Sequence, residues 1–380
     1  MHVVVIGAGL GGLALAQGLR RAGISVAVYE RDATSVVRNQ GYRIRIDPNG
    51  IAALRAVLSS SAYDVFAATA GTPGGVTATY DHELNLLHRF EQAPVPGLPG
   101  GGNLAVNRQT LREILLAGLD GVVRFGARFT RFESGPDSVT AHFEDGSVAV
   151  GDVLVGADGA GSMTRQQLLP EARVVDAGLR LLYGKAAFGA EELLGLWTTV
   201  VGPEKRFVGL APVRFGEAPG RTPGLSPVTD YLTCVFGARV EEFPCSDLFA
   251  LSGSELRAVA LAMTDGWHPA VREVLAGQDA IFPVTVRSSV PIGPWETSRV
   301  TLLGDAIHVM SPAIGVGANT ALRDGQVLAA RIREAAGGRP VVEALREYEA
   351  EMVGYGFDAV RDSARRGHEL VGQNPLEDAT

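Results

Sequence analysis

The chain has 380 residues, of which 46% are hydrophobic, 7% aromatic and 20% charged, and its formal net charge is −8. These fractions are typical of a globular protein with a sizeable core and exclude a mainly disordered chain, while the length allows two or three domains or one large compound domain. The negative charge argues against nucleic acid as a partner. Two cysteines, Cys234 and Cys245, are too few for a disulfide framework, so we expect core thiols in a reducing compartment.

A long apolar stretch at residues 3–19 bears on localisation. It contains five glycines and follows no basic segment, so it predicts neither a signal peptide nor a membrane span. We therefore expect a cytoplasmic protein with no membrane partner.

The N-terminal part alternates between strand and helix patterns. The predicted elements are strands at 3–6, 24–29 and 42–46 and helices at 11–21 and 50–58. The strand at 3–6, the helix at 11–21 and the strand at 24–29 form a βαβ unit. Pro48 is well placed at the start of the second helix. Many glycines and prolines at 72–102 then indicate strands and loops that leave this first domain.

The rest of the chain returns to the first domain and then becomes mostly strand. The predicted strands are 104–106, 122–125, 129–133, 139–143, 148–155, 181–188, 197–201, 207–213, 231–238, 281–287 and 300–303, and the helices are 109–119, 255–263, 270–276, 318–335 and 340–371. Asp145-Gly146 suits a tight hairpin turn, so the strands from 129 onward predict a small antiparallel meander. The strands between 178 and 290 predict a second, sheet-based domain.

These elements predict an α/β chain that is α+β overall. A Rossmann-like dinucleotide-binding domain carries a second, mostly antiparallel β-sheet domain and a long C-terminal helix. Three sets of residues make up this division. The first domain takes 1–71, 103–177 and 291–336, the second takes 72–102 and 178–290, and the C-terminal helical segment is 337–380.

A glycine-rich fingerprint follows the first predicted strand. Gly7, Gly9 and Gly12 fit G-x-G-x-x-G, and Glu30 ends the next strand 18 residues beyond Gly12. Gly9 would let a pyrophosphate approach the backbone, where free amides and the helix dipole attract it. Glu30 would accept hydrogen bonds from an adenosine ribose. The fingerprint does not distinguish FAD from NAD, and the alternative interpretation is a turn that binds nothing.

A second motif follows the last predicted strand. Gly304 and Asp305 end that strand, which would bring a carboxylate to the mouth of the sheet, where it can bind the hydroxyls of a polyol chain. Gly315 and Gly317 would let the backbone run against a flat ligand at the start of a helix. The alternative interpretation is a glycine-rich loop that caps a helix. His308 has no second His or Cys at ligand spacing, so we predict no metal site.

A third motif places Asp158 and Gly159 after the strand predicted at 148–155. By itself this motif indicates the entry of a helix, with Ser162 at the N-cap. It indicates a function only in combination with the other two motifs.

In this order and spacing, the fingerprint at residues 7–12 with Glu30, the Asp158-Gly159 element and the Gly304-Asp305 element resemble the single-component FAD-dependent aromatic hydroxylases of the p-hydroxybenzoate hydroxylase fold. The resemblance covers essentially the whole chain. It is strongest to compact members, such as the tetracycline-inactivating and salicylate-type monooxygenases, because no thioredoxin-like domain follows. It implies non-covalent FAD in the first domain and a substrate at the β-sheet domain.

The resemblance also implies which residues hold the cofactor. They are Gly7, Gly9, Leu10, Gly12, Glu30, Arg31, Arg108, Asp158, Asp305, Pro312, Gly315, Gly317 and Asn319. Glu30 and Arg31 would meet the adenosine, and Arg108 the pyrophosphate. Asp158 would bridge flavin binding and nicotinamide engagement, and Asp305 would hold the ribityl chain. The last four would lie along the isoalloxazine.

The implied reaction is that of an NAD(P)H-consuming monooxygenase, in keeping with secondary metabolism. A flavin hydroperoxide would transfer one oxygen atom from dioxygen to an electron-rich aromatic or polyketide-like small molecule. Because no second G-x-G-x-x-G lies in a strand-helix-strand unit, NADPH or NADH would bind transiently. The cofactor carries the chemistry, so no residue is predicted as catalytic. A flavin-dependent dehydrogenase or reductase of this fold and a non-catalytic flavin-binding or ligand-binding protein share every motif and stay open.

For two further groups of side chains, the sequence leaves more than one role open. Arg43 and Arg45 share one face of a predicted strand, which would face flavin, substrate or solvent. Aromatic residues of the β-sheet domain would line a substrate site or belong to the core; they are Trp197, Phe207, Phe236 and Phe282.

Overall fold

The computed structural model describes residues 1–35, 42–188 and 193–376. Its strands are β1 (His2–Ile6), β2 (Ser25–Glu30), β3 (Arg43–Ile46), β4 (Val76–Asp81), β5 (Leu86–Glu91), β6 (Leu104–Asn107), β7 (Val123–Phe125), β8 (Phe129–Ser134), β9 (Val139–Phe143), β10 (Val148–Gly151), β11 (Val153–Gly156), β12 (Val174–Ala186), β13 (Trp197–Val201), β14 (Phe207–Val213), β15 (Tyr231–Arg239), β16 (Asp279–Ser289) and β17 (Val300–Leu302). Its helices are α1 (Leu10–Arg21), α2 (Pro48–Val57), α3 (Ser60–Thr69), α4 (Arg108–Leu116), α5 (Met163–Leu168), α6 (Gly253–Met263), α7 (Pro269–Ala276), α8 (Asp305–His308), α9 (Gly317–Ala336) and α10 (Val341–Val371).

A five-stranded parallel sheet organises the dinucleotide-binding half, in the order β17-β11-β1-β2-β7. Ile6 at the end of β1 pairs with Gly156 of β11, and Gly156 pairs with Leu302 of β17. Because parallel strands share one carboxyl edge, the three sequence motifs leave the sheet side by side. The predicted α/β class is confirmed, and this edge is where a ligand of such a sheet binds.

A three-stranded antiparallel sheet, in the order β10-β9-β8, covers one face of the parallel sheet. Its side chains Phe129, Phe132 and Phe143 pack in one core with Val4 and Leu154 of the parallel sheet. The prediction of one strand over 148–155 was wrong, because residues 148–151 pair in the antiparallel sheet and residues 153–156 in the parallel one. Apolar residues lie on both sides of Asp152, so the sequence pattern alone does not show the change of sheet.

A seven-stranded sheet forms the other half, in the order β16-β12-β15-β14-β13-β4-β5. Its pairs are antiparallel except β13 with β4. The strands β4 and β5, from the segment 72–102, therefore join those of 178–290 in one sheet. Helices α6 and α7 cover one face of it, and their Leu256 and Val271 pack against Leu232 and Phe236. The exact division into domains stays a prediction.

The long helix α10 connects the two halves. Its Leu345, Met352 and Phe357 pack in the core of the dinucleotide-binding half, whereas Val371 packs against Leu179 of the seven-stranded sheet. The helix thus follows the predicted 340–371, and residues 377–380 of the predicted C-terminal segment lie outside the described residues. Helix α3 was not predicted. Among the described residues, no helix has both the length and the apolar character needed to cross a bilayer.

Candidate functional site

The turn between β1 and α1 is shaped by glycine. Gly7 has a φ of +109°, and a Cβ there would lie 2.3 Å from the carbonyl oxygen of Ala157. A Cβ at Gly12 would lie 2.2 Å from the carbonyl oxygen of Gly7. In contrast, a Cβ at Gly9 would meet no described atom within 4 Å. Two glycines therefore permit close packing, and the third leaves space in front of the turn.

The N-terminus of α1 faces that space. The helix begins at Leu10, and within the described chain no side chain caps it and no acidic residue occupies its first turn. The first amides of a helix lack intrahelical acceptors, and the helix dipole makes this end positive. An anionic group in front of Gly9 would satisfy both, which fits a pyrophosphate.

Glu30, at the end of β2, is buried beside this turn. Its carboxylate accepts hydrogen bonds from the Ala8 amide at 2.9 Å and from the Asp32 amide at 2.9 Å. The Arg112 guanidinium lies 3.9 Å from it and donates to the Ala8 carbonyl at 3.1 Å. Glu30 therefore fixes the glycine turn in addition to the predicted ribose contact. Sequence reasoning missed Arg112, whose weak signal is a cation among the apolar residues of α4.

An open cleft of about 430 Å³ lies at this edge of the sheet. It brings together six predicted cofactor residues: Gly7, Gly9, Glu30, Arg31, Arg108 and Asp158. Arg112, Arg128 and Met163 also line it, and Leu10 lies behind it in the core. An elongated dinucleotide fits this row of backbone amides, carboxylate and cations.

Asp158 holds the loop that enters α5. Its carboxylate accepts hydrogen bonds from the Ser162 hydroxyl at 2.5 Å and from the amide and hydroxyl of Thr164 at 3.2 Å each. The Ser162 hydroxyl accepts from the Arg165 amide at 2.9 Å, so the predicted N-cap is present. The Arg165 guanidinium also donates to the Ala306 carbonyl at 2.9 Å. These bonds connect the third motif to the second, while contact of Asp158 with a nicotinamide stays a prediction.

The second motif is built around a buried carboxylate, that of Asp324 on α9. It accepts hydrogen bonds from the Gly304 amide at 2.7 Å and from the Tyr355 hydroxyl at 2.6 Å. The His308 ring nitrogen Nε2 lies 2.7 Å from the same carboxylate. Gly304 has a φ of +61°, so this network fixes a turn that favours glycine and directs Asp305 out of the sheet.

Asp305 itself is the first residue of α8, next to this network. Solvent reaches its side chain, yet desolvation by the surrounding protein raises the pKa of its carboxyl, against the opposing effects of His308 and Arg108. Burial alone would lower the pKa of His308, but Asp324 and Asp305 outweigh it and raise that pKa. Asp324 and Asp305 therefore stabilise the protonated form of His308 relative to the neutral one, and Asp305 is the accessible member of this cluster.

The loop before α9 is exposed and has an unusual support. Pro312 and Gly315 are exposed, Gly315 has a φ of +65°, and Gly317 begins the helix. Asn319 lies beneath, 1% exposed, and its amide donates to the carbonyls of Arg45 at 3.0 Å and Gly315 at 3.3 Å. Its Oδ1 accepts from the Asp47 amide at 3.0 Å. Asn319 therefore positions this loop, and the exposed backbone is what could face a flat ring.

Aromatic residues join the cofactor edge to the seven-stranded sheet. The Tyr42 ring lies 5.6 Å from that of Tyr183, which stacks on Phe282 at 5.9 Å. The Arg108 guanidinium lies over Tyr42 at 5.7 Å. Of the aromatic residues predicted to line a substrate site, Phe282 is at this junction, and Phe236 is buried on the opposite face, under α6 and α7.

Polar contacts cross the same junction. The Asn107 amide donates to the Tyr231 hydroxyl at 3.1 Å, and the Arg43 guanidinium donates to the Leu196 carbonyl at 2.9 Å. Burial lowers the pKa of Arg43 to about 10. Arg43 faces the junction and Arg45 binds Asn103 and Gln92, so both side chains on that strand face contact other residues, and their contact with flavin or substrate stays a prediction. No group of His, Cys, Asp and Glu in the described ranges could hold a metal ion.

Two corners of the site, the glycine turn at residues 7–12 and the Gly304–Asp305 turn with its buried Asp324, lie at the carboxyl edge of the parallel sheet. Together with the fold they define a dinucleotide-binding protein with a second, sheet-based half. Family models agree: an NAD(P)-binding Rossmann-like domain matches residues 5–57, and an FAD binding domain matches residues 266–363. The FAD-dependent urate hydroxylase of Klebsiella pneumoniae subsp. pneumoniae is 33% identical over 374 residues, covering 95% of this chain and 87% of that protein. This chain therefore belongs to the family of FAD-dependent monooxygenases and hydroxylases.

Solved structures agree in fold. Klebsiella pneumoniae HpxO complexed with FAD and uric acid superposes with a TM-score of 0.82 at 31% identity, covering 98% of this chain and 89% of that one. A dual O-methyltransferase/FAD-dependent monooxygenase of Cercospora beticola is 32% identical over 92% of this chain, but over 44% of its own length. The chain thus spans about half the length of that relative.

Proposed function

We propose that this protein is an FAD-dependent monooxygenase that consumes NADPH or NADH and inserts one atom of dioxygen into an electron-rich aromatic or polyketide-like small molecule. The observation that carries the proposal is the position of Arg108, which lines the dinucleotide cleft, lies over Tyr42 of the aromatic junction and acts electrostatically on the accessible Asp305. A cofactor lying from Gly9 to Asp305 would end beside that junction. The names of the urate hydroxylase and of HpxO with FAD and uric acid support a planar substrate.

The chain's own residues would bind, orient and exclude water. The α1 amides and Glu30 would hold the adenosine end, and Asp305 the middle of the cofactor. Bound FAD would supply the redox chemistry, by taking two electrons from the nicotinamide and activating dioxygen. Tyr42, Tyr183 and Phe282 would give the substrate an apolar wall beside it. No described side chain is required as an acid or base in this scheme.

The test is the fate of dioxygen. The purified protein should be yellow and release about one FAD per chain on denaturation. A screen of hydroxylated aromatic compounds, scored by acceleration of NAD(P)H oxidation, identifies a substrate, and ¹⁸O₂ should then label the product. Oxidation without label indicates a dehydrogenase or reductase. Bound flavin that NAD(P)H never reduces, even with a ligand present, indicates a non-catalytic binding protein.

A further inference from the structure

The chain contains two lysines, Lys185 and Lys205, and they occupy different environments. Lys205 is exposed, and its Nζ donates to the His368 carbonyl at 3.2 Å near the end of α10. Lys185 is half-buried near the C-terminal end of β12. Its Nζ lies 4.5 Å from the centre of the Tyr231 ring. This second lysine is placed where its charge costs desolvation free energy.

The strand registers show which way Lys185 faces. Lys185 is paired with Thr233 of β15, so the two side chains share one face of the sheet. Tyr231, two residues before Thr233, is on that face too, and its hydroxyl accepts the hydrogen bond from Asn107 in the other half. The face of Lys185 is therefore the one that meets the cofactor half, and α6 and α7 cover the opposite face.

A continuous row of contacts runs from Lys185 to the cofactor corner. Lys185 lies on Tyr231, Tyr231 binds Asn107, and Arg108 is the next residue along the chain. Arg108 lines the dinucleotide cleft and acts electrostatically on Asp305. Lys185 is thus on the wall of the junction where the proposed substrate would lie.

Two polar groups on this wall are unsatisfied by the described residues. The Lys185 ammonium makes no hydrogen bond and no ion pair within 4 Å among them. The Thr233 hydroxyl, in a residue 2% exposed, also lacks a hydrogen-bond partner within the described ranges. Burial lowers the pKa of Lys185. Asp279, its exposed partner on the neighbouring strand β16, partly opposes this shift. A half-buried cation and a buried, unpartnered hydroxyl at paired positions on one face of the sheet are an arrangement that an oxyanion would satisfy.

We propose that Lys185, with Thr233, is a specificity-determining site for an ionised ring oxygen of the substrate, so that this enzyme selects acidic phenols or enols over their ethers. This inference rests on the proposed function for the location of the substrate. Lys185 would hold the oxyanion by charge, and Thr233 would donate its hydroxyl hydrogen. An ionised oxygen also makes the ring richer in electrons, as the proposed oxygen transfer requires.

The test measures equilibrium binding to the oxidised FAD-loaded protein, without turnover. The probes are 4-nitrophenol, whose ionisation is visible in its absorption spectrum, and its methyl ether, 4-nitroanisole. The wild type should bind the phenol about ten- to a hundred-fold more tightly than the ether, the range expected of a charge-assisted hydrogen bond. The apparent pKa of the bound phenol should be lower than that of the free phenol, because the ammonium favours the anion.

Three variants separate charge from structure. Lys185→Met should bind the ether as the wild type does and lose the preference for the phenol and the lowered pKa, whereas Lys185→Arg should keep most of both. Lys205→Met is the matched control and should behave as the wild type. Melting temperature and FAD content show whether each variant is folded.

Several results would overturn the inference. They are a wild type that does not bind the phenol, a wild type that binds the ether equally well, and a Lys185→Met variant that keeps the preference. None of them bears on the proposed function, which fails instead on FAD content, NAD(P)H oxidation or ¹⁸O incorporation.

Discussion

The two corners that would hold the cofactor are built in opposite ways. The corner at residues 7–12 is made of backbone: three glycines set its shape, and uncapped amides supply its charge, as far as the described residues show. The corner at Asp305 is made of side chains from three elements, with Asp324 of α9 and Tyr355 of α10 holding the Gly304 turn. Stability and FAD binding should therefore depend on steric space at the first corner and on the ionisation of side chains at the second.

The largest effect is expected at the backbone corner. Gly12→Ala would place a Cβ 2.2 Å from the Gly7 carbonyl oxygen, and neither backbone can give way easily. We expect the variant to lose at least about 3 kcal/mol of folding stability and to lose FAD binding as well. Chemical denaturation of the apoprotein measures the first and flavin fluorescence titration the second.

Gly9→Ala is the matched control, because a Cβ there would meet no described atom within 4 Å. It should leave the apoprotein as stable as the wild type and weaken FAD binding alone. If both variants destabilise the apoprotein equally, close packing is not what separates Gly12 from Gly9.

These glycines also show what the sequence could establish. Gly7, Gly9, Gly12 and Glu30 fall within one βαβ unit, so their placement around one turn follows from local spacing, while their contacts with a cofactor stay a prediction. Asn319 binds the Asp47 amide, 272 residues away, and Lys185 meets Thr233 only through the register of β12 with β15. Such contacts depend on strand pairing and helix docking, which hydrophobic periodicity does not specify.

The side-chain corner should depend on charge. Asp324→Asn keeps the size of the side chain but leaves the buried His308 without its anionic partner. Breaking a buried ion pair costs about 3–5 kcal/mol, and the Gly304 turn should loosen at the same time. We expect a lower melting temperature and weaker FAD binding. The exposed pair of Arg365 with Asp362 on α10 is the control, and Asp362→Asn should change stability by less than about 0.5 kcal/mol. Equal effects would show that the buried pair has no special role.

Ionisation near the same corner should give a pH dependence. Glu349 on α10 is 4% exposed; its carboxylate accepts a hydrogen bond from Thr297 at 2.5 Å, and Thr301 and Trp295 beside it also favour the ionised form. Burial raises the pKa of Glu349 to about 7. The folded state then binds a proton that the unfolded state has already lost, so stability falls as pH rises from about 4.5 to about 7 and stays low above that range.

Glu349→Gln removes this titration. Relative to the variant, the wild type should lose about 2–3 kcal/mol of unfolding free energy between pH 5 and pH 8, measured by urea denaturation. Glu343→Gln, an exposed position on the same helix, should show no such trend. A constant difference between wild type and Glu349→Gln across that pH range would contradict the buried, protonated carboxyl.

The smallest effect is expected at Arg31, which lines the backbone corner but is exposed. Water and salt screen an exposed charge, so Arg31→Ala should weaken FAD binding by only about two- to five-fold, and less in high salt. Its neighbour Glu30 is the comparison: Glu30→Ala removes a buried acceptor of the Ala8 and Asp32 amides and a predicted ribose contact, so about ten- to a hundred-fold weaker binding is expected. Titration of the apoprotein with FAD at low and high ionic strength measures both. An Arg31→Ala effect as large as that of Glu30→Ala, and unchanged by salt, would mean that a side chain outside the core decides affinity there. The first corner would then resemble the second, and backbone space would no longer distinguish them.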